Sequence, residues 1–449
     1  MKKLFGTDGI RGKANTYPIT PEIALQVGKA IAHVLGAEGH GSLKAIVGKD
    51  TRLSGYMLES ALASGLVSMG MDVFEIGPMP TPTVAHLTKS MGAACGIMIT
   101  ASHNPSDDNG IKIFGPDGFK LPDEVENDIE EHVLRGEIKS AHISTEMIGK
   151  AYRIDDARGR YIEFAKSSIK NKSLKGLKVV LDCANGSGYY IAPLILKELG
   201  AEVIKTATEP DGYNINRMCG ATYIKNVSDL VVAHKADVGI SLDGDADRVI
   251  FCDSRGNEVN GDRIIGMCAL DLKERNALSG NTVVVTTMSN MGLHNAMKEA
   301  GINVGITAVG DRNVIELMRE KNYNLGGEQS GHVIFMDYAT TGDGIITALH
   351  VLKLMISRQK TLSELANFMS EYPQTLKNIK VTKKVPIEEI PALRDIIAAS
   401  ERDLDGHGRT VVRYSGTENK IRILVEAKQE NDVKKWVKKI GDVVEKELC

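Results

Sequence analysis

The sequence predicts three α/β domains of related design with mixed sheets, followed by a small C-terminal α+β domain. Two observations carry this. A strand–loop–helix–turn–strand pattern recurs three times, and after Glu371-Tyr372-Pro373 the chain changes to short alternating stretches. The first copy runs from Lys44 to Gly77, the second from Lys178 to Lys205 and the third from Thr282 to Gly310. Each joins an apolar strand to a second strand through a polar or Gly-containing loop and an amphipathic helix, the crossover that parallel strands require. One large doubly wound sheet is the alternative, ranked second because the segments between the copies carry chemistry-bearing loops of their own. Before the first copy, Thr20-Pro21-Glu22 precedes the apolar stripe Ala24, Val27, Ile31 and Val34, the start of a capped helix. In the tail, Lys380 to Val385 and Thr410 to Tyr414 read as strands. Val433, Trp436, Val437, Ile440 and Val444 form one stripe of a final helix.

These elements place the domains at 1–154, 155–254, 255–371 and 372–449. A chain of 449 residues, 42% of them apolar, exceeds what one compact core holds. No low-complexity linker separates the segments, so the domains are expected to pack around a central cleft, the natural place for a substrate.

The formal charge of −3 comes with no basic block and no aromatic-interleaved stripe, which argues against nucleic acid and against an anionic membrane surface. A small molecule is the expected partner. The six cysteines (Cys95, Cys183, Cys219, Cys252, Cys268 and Cys449) include no CxxC pair, against a thiolate zinc site or a secreted disulfide framework. They read as buried thiols of a reducing cytosol. Gly6, Thr7 and Asp8 interrupt any hydrophobic continuation of Lys2-Lys3, and no window approaches a membrane span, so a cytoplasmic location is expected.

The most informative loop is Asp243-Gly244-Asp245-Ala246-Asp247-Arg248, after the apolar run Val238 to Ile240. In an extended segment alternate side chains share a face, so the three carboxylates can converge on one hard cation, and few oxygen donors with open positions suit Mg2+. An EF-hand has the same Asp spacing but fails here: its glycine position is Arg248 and its last-ligand position is Ser254. A solvated acidic loop is the bland alternative.

Ser102, in Thr100-Ala101-Ser102-His103-Asn104-Pro105, follows the apolar strand Cys95 to Ile99. For a lone serine in this setting a turn or helix cap is the ordinary reading. No GxSxG elbow is present and His103 is adjacent in sequence, so a hydrolase triad is disfavoured. A serine that holds a phosphoryl group would need a cation, which the three-Asp loop could supply. Gly326-Gly327-Glu328-Gln329-Ser330-Gly331-His332 offers an acceptor at Glu328 and a donor at Ser330 suited to adjacent sugar hydroxyls, although a plain Gly-rich turn reads equally well. Arg413-Tyr414-Ser415-Gly416-Thr417-Glu418-Asn419, followed by Arg422, makes an anion nest for a held phosphate, or a plain hairpin turn. Phe5 to Gly12 places Arg11 among small residues.

Together FGTDGIRG, TASHNP, DGDADR, GEQSGH and RYSGTEN stand in the order of the α-D-phosphohexomutase superfamily, which the chain resembles from end to end. GEQSGH and the segment AVGDRNV at Ala308 to Val314 resemble the phosphoglucosamine mutase branch, whereas mannose and glucose enzymes more often carry Met at the Gln329 position. The resemblance implies four domains around a cleft, a phosphoserine at Ser102, and Mg2+ held by Ser102, Asp243, Asp245 and Asp247. It implies interconversion of glucosamine 6-phosphate and glucosamine 1-phosphate through a bisphosphorylated sugar, with a hexosamine or glucose 1,6-bisphosphate as activator, in a homodimer. A phosphoglucomutase or phosphomannomutase is the nearest rival; a Mg-dependent sugar phosphatase and a sugar-phosphate binding protein lie further off.

By the same resemblance Arg11, Lys112 and Arg248 lie near the transferring phosphate, with Lys112 and His332 as acid–base candidates. Glu328, Ser330, Asp311 and Arg312 hold the sugar, and Arg413, Ser415, Gly416, Thr417 and Arg422 hold the other phosphate. Charge counting agrees: three carboxylates, one divalent cation and one phosphoserine sum to roughly −3, which these cations would offset.

Overall fold

A computed structural model of the protein describes residues 4–6, 8–37, 43–136, 138, 144–415 and 419–449. Among the described residues the strands form four separate sheets of seven, five, four and three strands, not one doubly wound sheet. Three are layered with helices as α/β units, and the last is an α+β arrangement. The chain divides into two compact units, residues 1–286 with 305–366, and residues 287–304 with 367–449.

In the first sheet Lys44–Lys49 pairs in parallel with Asp72–Pro78 across the helix Ser54–Val67, as a βαβ crossover requires. Cys95–Ile99 adds in parallel on the other side, and Asp108–Phe114 and then Gly9–Lys13 follow antiparallel. The register sets Met98 opposite Lys112 and Gly110 opposite Arg11, so both cations stand near the strand end from which the Ser102 loop leaves. The helix Pro21–Ala37 starts where Thr20 Oγ1 accepts from the Ile23 amide at 3.4 Å. It packs closely on Ser54–Val67 through Gly28 and Gly65: a Cβ on Gly28 would lie 2.4 Å from the Leu62 carbonyl, and one on Gly65 2.3 Å from that of Leu25.

In the second sheet Val238–Leu242 pairs in parallel with Lys178–Asp182 and antiparallel with Val249–Asp253. All five residues of Val238–Leu242 are buried, as expected for an apolar central strand. The third sheet runs in the order Asn303–Thr307, Thr282–Thr286, Leu325–Gly327, Val333–Phe335.

The sheet of the second unit is antiparallel, with Lys420–Ala427 between Gln374–Lys380 and Gly408–Tyr414. Ile421, Ile423 and Val425 pack against Val433, Trp436, Val437, Ile440 and Val444 of the helix Glu430–Leu448. The expected strand at Lys380 to Val385 is corrected: the strand lies upstream, at Gln374–Lys380. The Val381 amide still bonds in register to Asn419 O, and the pairing ends where the Thr382 amide turns instead to Leu448 O at the end of the final helix. Five cysteines are buried as expected, but Cys449, the terminal residue, is exposed. Among the described residues no helix is long and apolar enough to cross a membrane.

Candidate active site

The acidic loop is not extended. Residues 243–248 reverse the chain between two antiparallel strands; the Ala246 amide bonds to Asp243 O at 3.1 Å, and Ala246 is left-handed at φ 56°. The carboxylates nevertheless converge, because the turn curls them round one point: ligand atoms of Asp243, Asp245 and Asp247 all lie within 4.8 Å of one another, and all three residues are buried. Such a cluster is costly without a cation. Burial, with Asp247 and Asp245 beside it, holds the Asp243 carboxyl well above the usual carboxylate range. Oδ1 of Asp245 and Oδ1 of Asp247 are buried without a hydrogen-bond partner. Two unmated carboxylate oxygens in an oxygen-only cluster fit a hard divalent cation such as Mg2+.

Ser102 meets this cluster. It sits at a left-handed φ of 52° in the turn after Cys95–Ile99, and Oγ donates to Asp243 Oδ2 at 2.6 Å. His103 Nδ1 comes to 3.4 Å of the same hydroxyl despite adjacency in sequence, but burial, with Arg248 and Arg11 nearby, pushes the imidazole pKa down to about 4. Thr81 Oγ1 donates to Asp245 Oδ2 at 2.6 Å and its amide bonds to Asp245 O, fixing the acidic loop to the helix Thr81–Ser90.

Lys112 is buried, not a surface lysine: Nζ lies 3.1 Å from Asp245 Oδ2, 3.3 Å from Asp247 Oδ2 and 3.4 Å from Asp8 Oδ2. Burial opposes its charge, but Asp245, Asp8 and Asp247 outweigh that and raise its pKa. The Arg248 amide donates to Asp243 Oδ1 at 3.2 Å; its side-chain Nε is buried without a hydrogen bond and lies 3.9 Å from Asp247 Oδ1. Arg11 pairs with Asp8, and its Nε too is unbonded.

His332 is enclosed. Nε2 accepts from the Gly342 amide at 3.1 Å, which leaves the ring proton on Nδ1, 3.7 Å from Asp247 Oδ2. Burial lowers its pKa, and the carboxylates of Asp247, Asp311 and Glu328 more than reverse this. Asp311 Oδ2 lies 3.7 Å from His332 Nε2 and accepts from Lys120 at 2.6 Å. Glu328 Oε1 accepts from the Gly310 amide at 3.0 Å and Oε2 from Ser330 at 3.4 Å, tying GEQSGH to AVGDRNV. Arg312 instead pairs with Asp123 and Glu126 of the helix Asp123–Arg135. Gln329 Nε2 donates to Asp262 at 3.1 Å at the start of the helix Gly261–Glu274.

In the second unit Arg413 and Arg422 stand directly opposite in the hairpin register. Like charges placed directly opposite in a ladder repel. The Ser415 amide closes the turn on Lys420 O, and Lys384 Nζ donates to Ser415 O at 2.9 Å. Gly416 and Thr417 lie outside the described residues.

The sequence alone does not single out Asp8, Lys120, Thr81 and Lys384. Asp8 had the clearest signal, being inside FGTDGIRG; the others are joined to the site by contacts distant in sequence.

Models of the phosphoglucomutase/phosphomannomutase family match throughout: α/β/α domain I at residues 2–139, domain II at 159–256, domain III at 260–372 and the C-terminal domain at 376–443. A phosphoglucosamine mutase of Geotalea uraniireducens (strain Rf4) is 52% identical over 449 residues, covering 100% of this chain and 99% of its own. A phosphoglucomutase/phosphomannomutase family protein from Burkholderia thailandensis shares the fold at TM-score 0.83 and 24% identity, covering 99% of this chain and 97% of that one. An N-acetylphosphoglucosamine mutase of Aspergillus fumigatus, solved with GlcNAc-6P and magnesium, shares it at TM-score 0.67 and 18% identity, covering 98% of this chain and 95% of that one. With all four domains matched in order, the chain belongs to the phosphoglucomutase/phosphomannomutase family.

Proposed function

We propose that the protein interconverts glucosamine 6-phosphate and glucosamine 1-phosphate, supplying UDP-N-acetylglucosamine synthesis, as a cytoplasmic homodimer. The observation that carries this reading is identity of 52% across the whole chain to a relative named for that reaction. The 2.6 Å contact of Ser102 with Asp243 supports the chemistry.

Phosphorylated Ser102 gives its phosphoryl group to O1 of glucosamine 6-phosphate: the P–Oγ bond breaks, the P–O1 bond forms, and the O1 proton passes to a protein base. The bisphosphorylated sugar turns over in the site, returns its 6-phosphoryl group to Ser102, and leaves as the 1-phosphate. A free hexosamine or glucose 1,6-bisphosphate would recharge an empty serine by the same exchange. Asp243, Asp245, Asp247 and the Ser102 oxygen would hold Mg2+, which supplies positive charge against the transferring group. Lys112, Arg11 and Arg248 add fixed positive charge, which suits a loose transition state whose charge spreads over the equatorial oxygens. Lys112 and His332 are the two candidates for moving the hydroxyl proton.

Glu328 and Ser330 would hold sugar hydroxyls. Asp311 acts beside them, and Arg312 would have to leave Asp123 and Glu126 to join them. Arg413, Ser415, Gly416, Thr417 and Arg422 would hold the phosphate that is not in transfer. On this reading residues 1–154 carry the phosphoserine loop, 155–254 the metal loop, 255–371 the sugar loop and 372–449 the phosphate loop.

A coupled assay on glucosamine 6-phosphate, with and without a catalytic trace of glucose 1,6-bisphosphate, tests the reading. Stimulation by the trace and preference over glucose 6-phosphate and mannose 6-phosphate are expected. Equal or better turnover of either hexose phosphate would reassign the substrate, and release of inorganic phosphate in place of an isomer would make the protein a phosphatase.

A further inference from the structure

The backbone of Ser102 is held by a set of side-chain contacts from outside the acidic cluster. Arg52 is fully buried and uses all five of its guanidinium N–H groups. Nε donates to Asp50 Oδ2 at 2.8 Å, one terminal nitrogen to Ser102 O at 3.0 Å and Asn104 O at 2.8 Å, and the other to Pro105 O and, at 3.1 Å, Asp108 O. From the second sheet's side, Asn216 Nδ2 donates to the same Ser102 O at 2.9 Å and Asn104 O at 3.0 Å. Asp50 also accepts from Thr100 Oγ1 at 2.6 Å, and Thr100 Oγ1 in turn accepts from the Ser102 amide at 2.9 Å. Both peptide groups of Ser102 are thus fixed by side chains while the residue stays at φ 52°.

A serine in the left-handed region is disfavoured and persists only where its surroundings over-determine it. Here the strained φ is what sends Oγ to Asp243, so relaxing it would turn the hydroxyl off the acidic cluster. We infer that Arg52 and Asn216 are positioning residues for phosphoryl transfer: their shared grip on the Ser102 and Asn104 carbonyls keeps the serine oxygen aimed at the acidic loop. This rests on Ser102 being the phosphoryl carrier. A misaimed phosphoserine should lose transfer to sugar more than transfer to water, in which the P–Oγ bond breaks, water's oxygen bonds to phosphorus, and water's proton ends on the serine oxygen.

Two variants test it. Asn216→Gly removes the donor and keeps a residue suited to the left-handed φ of 57° at that position. Arg52→Lys keeps the charge but offers three donors in place of five. Expected for each is a fall in kcat of roughly 10- to 100-fold, of the size that ångström-scale misplacement produces, with KM within about 3-fold of wild type. Inorganic phosphate released per isomer formed should rise. Asn216→Gly decides alone if Arg52→Lys does not fold. Folded Asn216→Gly with wild-type kcat and wild-type phosphate release would overturn the inference. The two readings fail separately: a wild type without isomerase activity sinks the proposed function, and the inference is then read from phosphate transfer between glucose 1,6-bisphosphate and Ser102, unchanged rates in Asn216→Gly again overturning it.

Discussion

Ser102 Oγ donates a 2.6 Å hydrogen bond to Oδ2 of Asp243, a residue 141 positions further along the chain and in a different sheet's loop. The hydroxyl that would carry the phosphoryl group and the carboxylates that would hold its cation are therefore already in contact, brought together by two strand ends.

Removing that hydroxyl should remove turnover while leaving the fold. Ser102→Ala is expected to lower isomerase activity by about 10³-fold or more, as for other nucleophile deletions. Intact-protein mass spectrometry should show a phosphate on the wild type that the variant lacks. Substantial activity in the variant would contradict the role.

Neutralising one carboxylate should trade metal response for metal-free stability. In Asp243→Asn both causes of the raised Asp243 pKa are gone, the burial of a charge and the repulsion from Asp247 and Asp245. Its melting temperature without metal should rise by roughly 2 °C, the scale of a 1 kcal/mol gain in a chain of this kind. Added Mg2+ should no longer shift it, whereas the wild type should be stabilised by Mg2+. A normal Mg2+ shift in the variant would count against the cluster as a metal site.

Gly244 stands where the acidic loop meets the serine loop. A Cβ there would lie 2.5 Å from Ser102 O and 2.8 Å from Asn216 Nδ2. Gly244→Ala should force the loops apart and cost roughly 100-fold in kcat. Wild-type kcat in that variant would show that the close approach is unimportant.

Acid lability should have a histidine component outside the site. His86 stacks on Phe164 at 3.7 Å between ring centroids, and burial, with Lys89 nearby, pushes its pKa down to about 4. An unfolded imidazole titrates at about 6.5, so between these values the unfolded state binds a proton that the folded state refuses. This contribution is complete above about pH 6.5 and shrinks as pH falls toward 4. Melting temperatures across that range should fall less steeply in His86→Phe; an unchanged slope would refute the assignment.

In the second unit Trp436, the sole tryptophan, is buried with Nε1 donating to Asp403 at 2.8 Å. Trp436→Ala should destabilise this unit by about 3–5 kcal/mol. A denaturation midpoint within error of wild type would contradict that packing.

What could be read from the sequence was local. The three βαβ copies, the stripe from Val433 to Val444 and the five loops are each written in contiguous residues, and so could be placed without coordinates. The sequence of residues 243–248 suggests an extended segment, because alternating Asp residues suit a strand face as well as a turn; the antiparallel pairing of the flanking strands makes it a turn. Arg52 and Asn216 were invisible for a different reason. Their partners are carbonyl oxygens 50 and 114 residues away, and a backbone acceptor leaves no residue-type signature. Asp8 and Lys120, 112 residues apart, form a pair that neither local segment announces.

The most direct test is to label the phosphate on Ser102 with a radioisotope and mix the protein with unlabelled glucosamine 6-phosphate and Mg2+. The label should move within one turnover into the sugar bisphosphate and sugar monophosphate pool. Label that stays on the protein, or leaves as inorganic phosphate, would contradict transfer through Ser102.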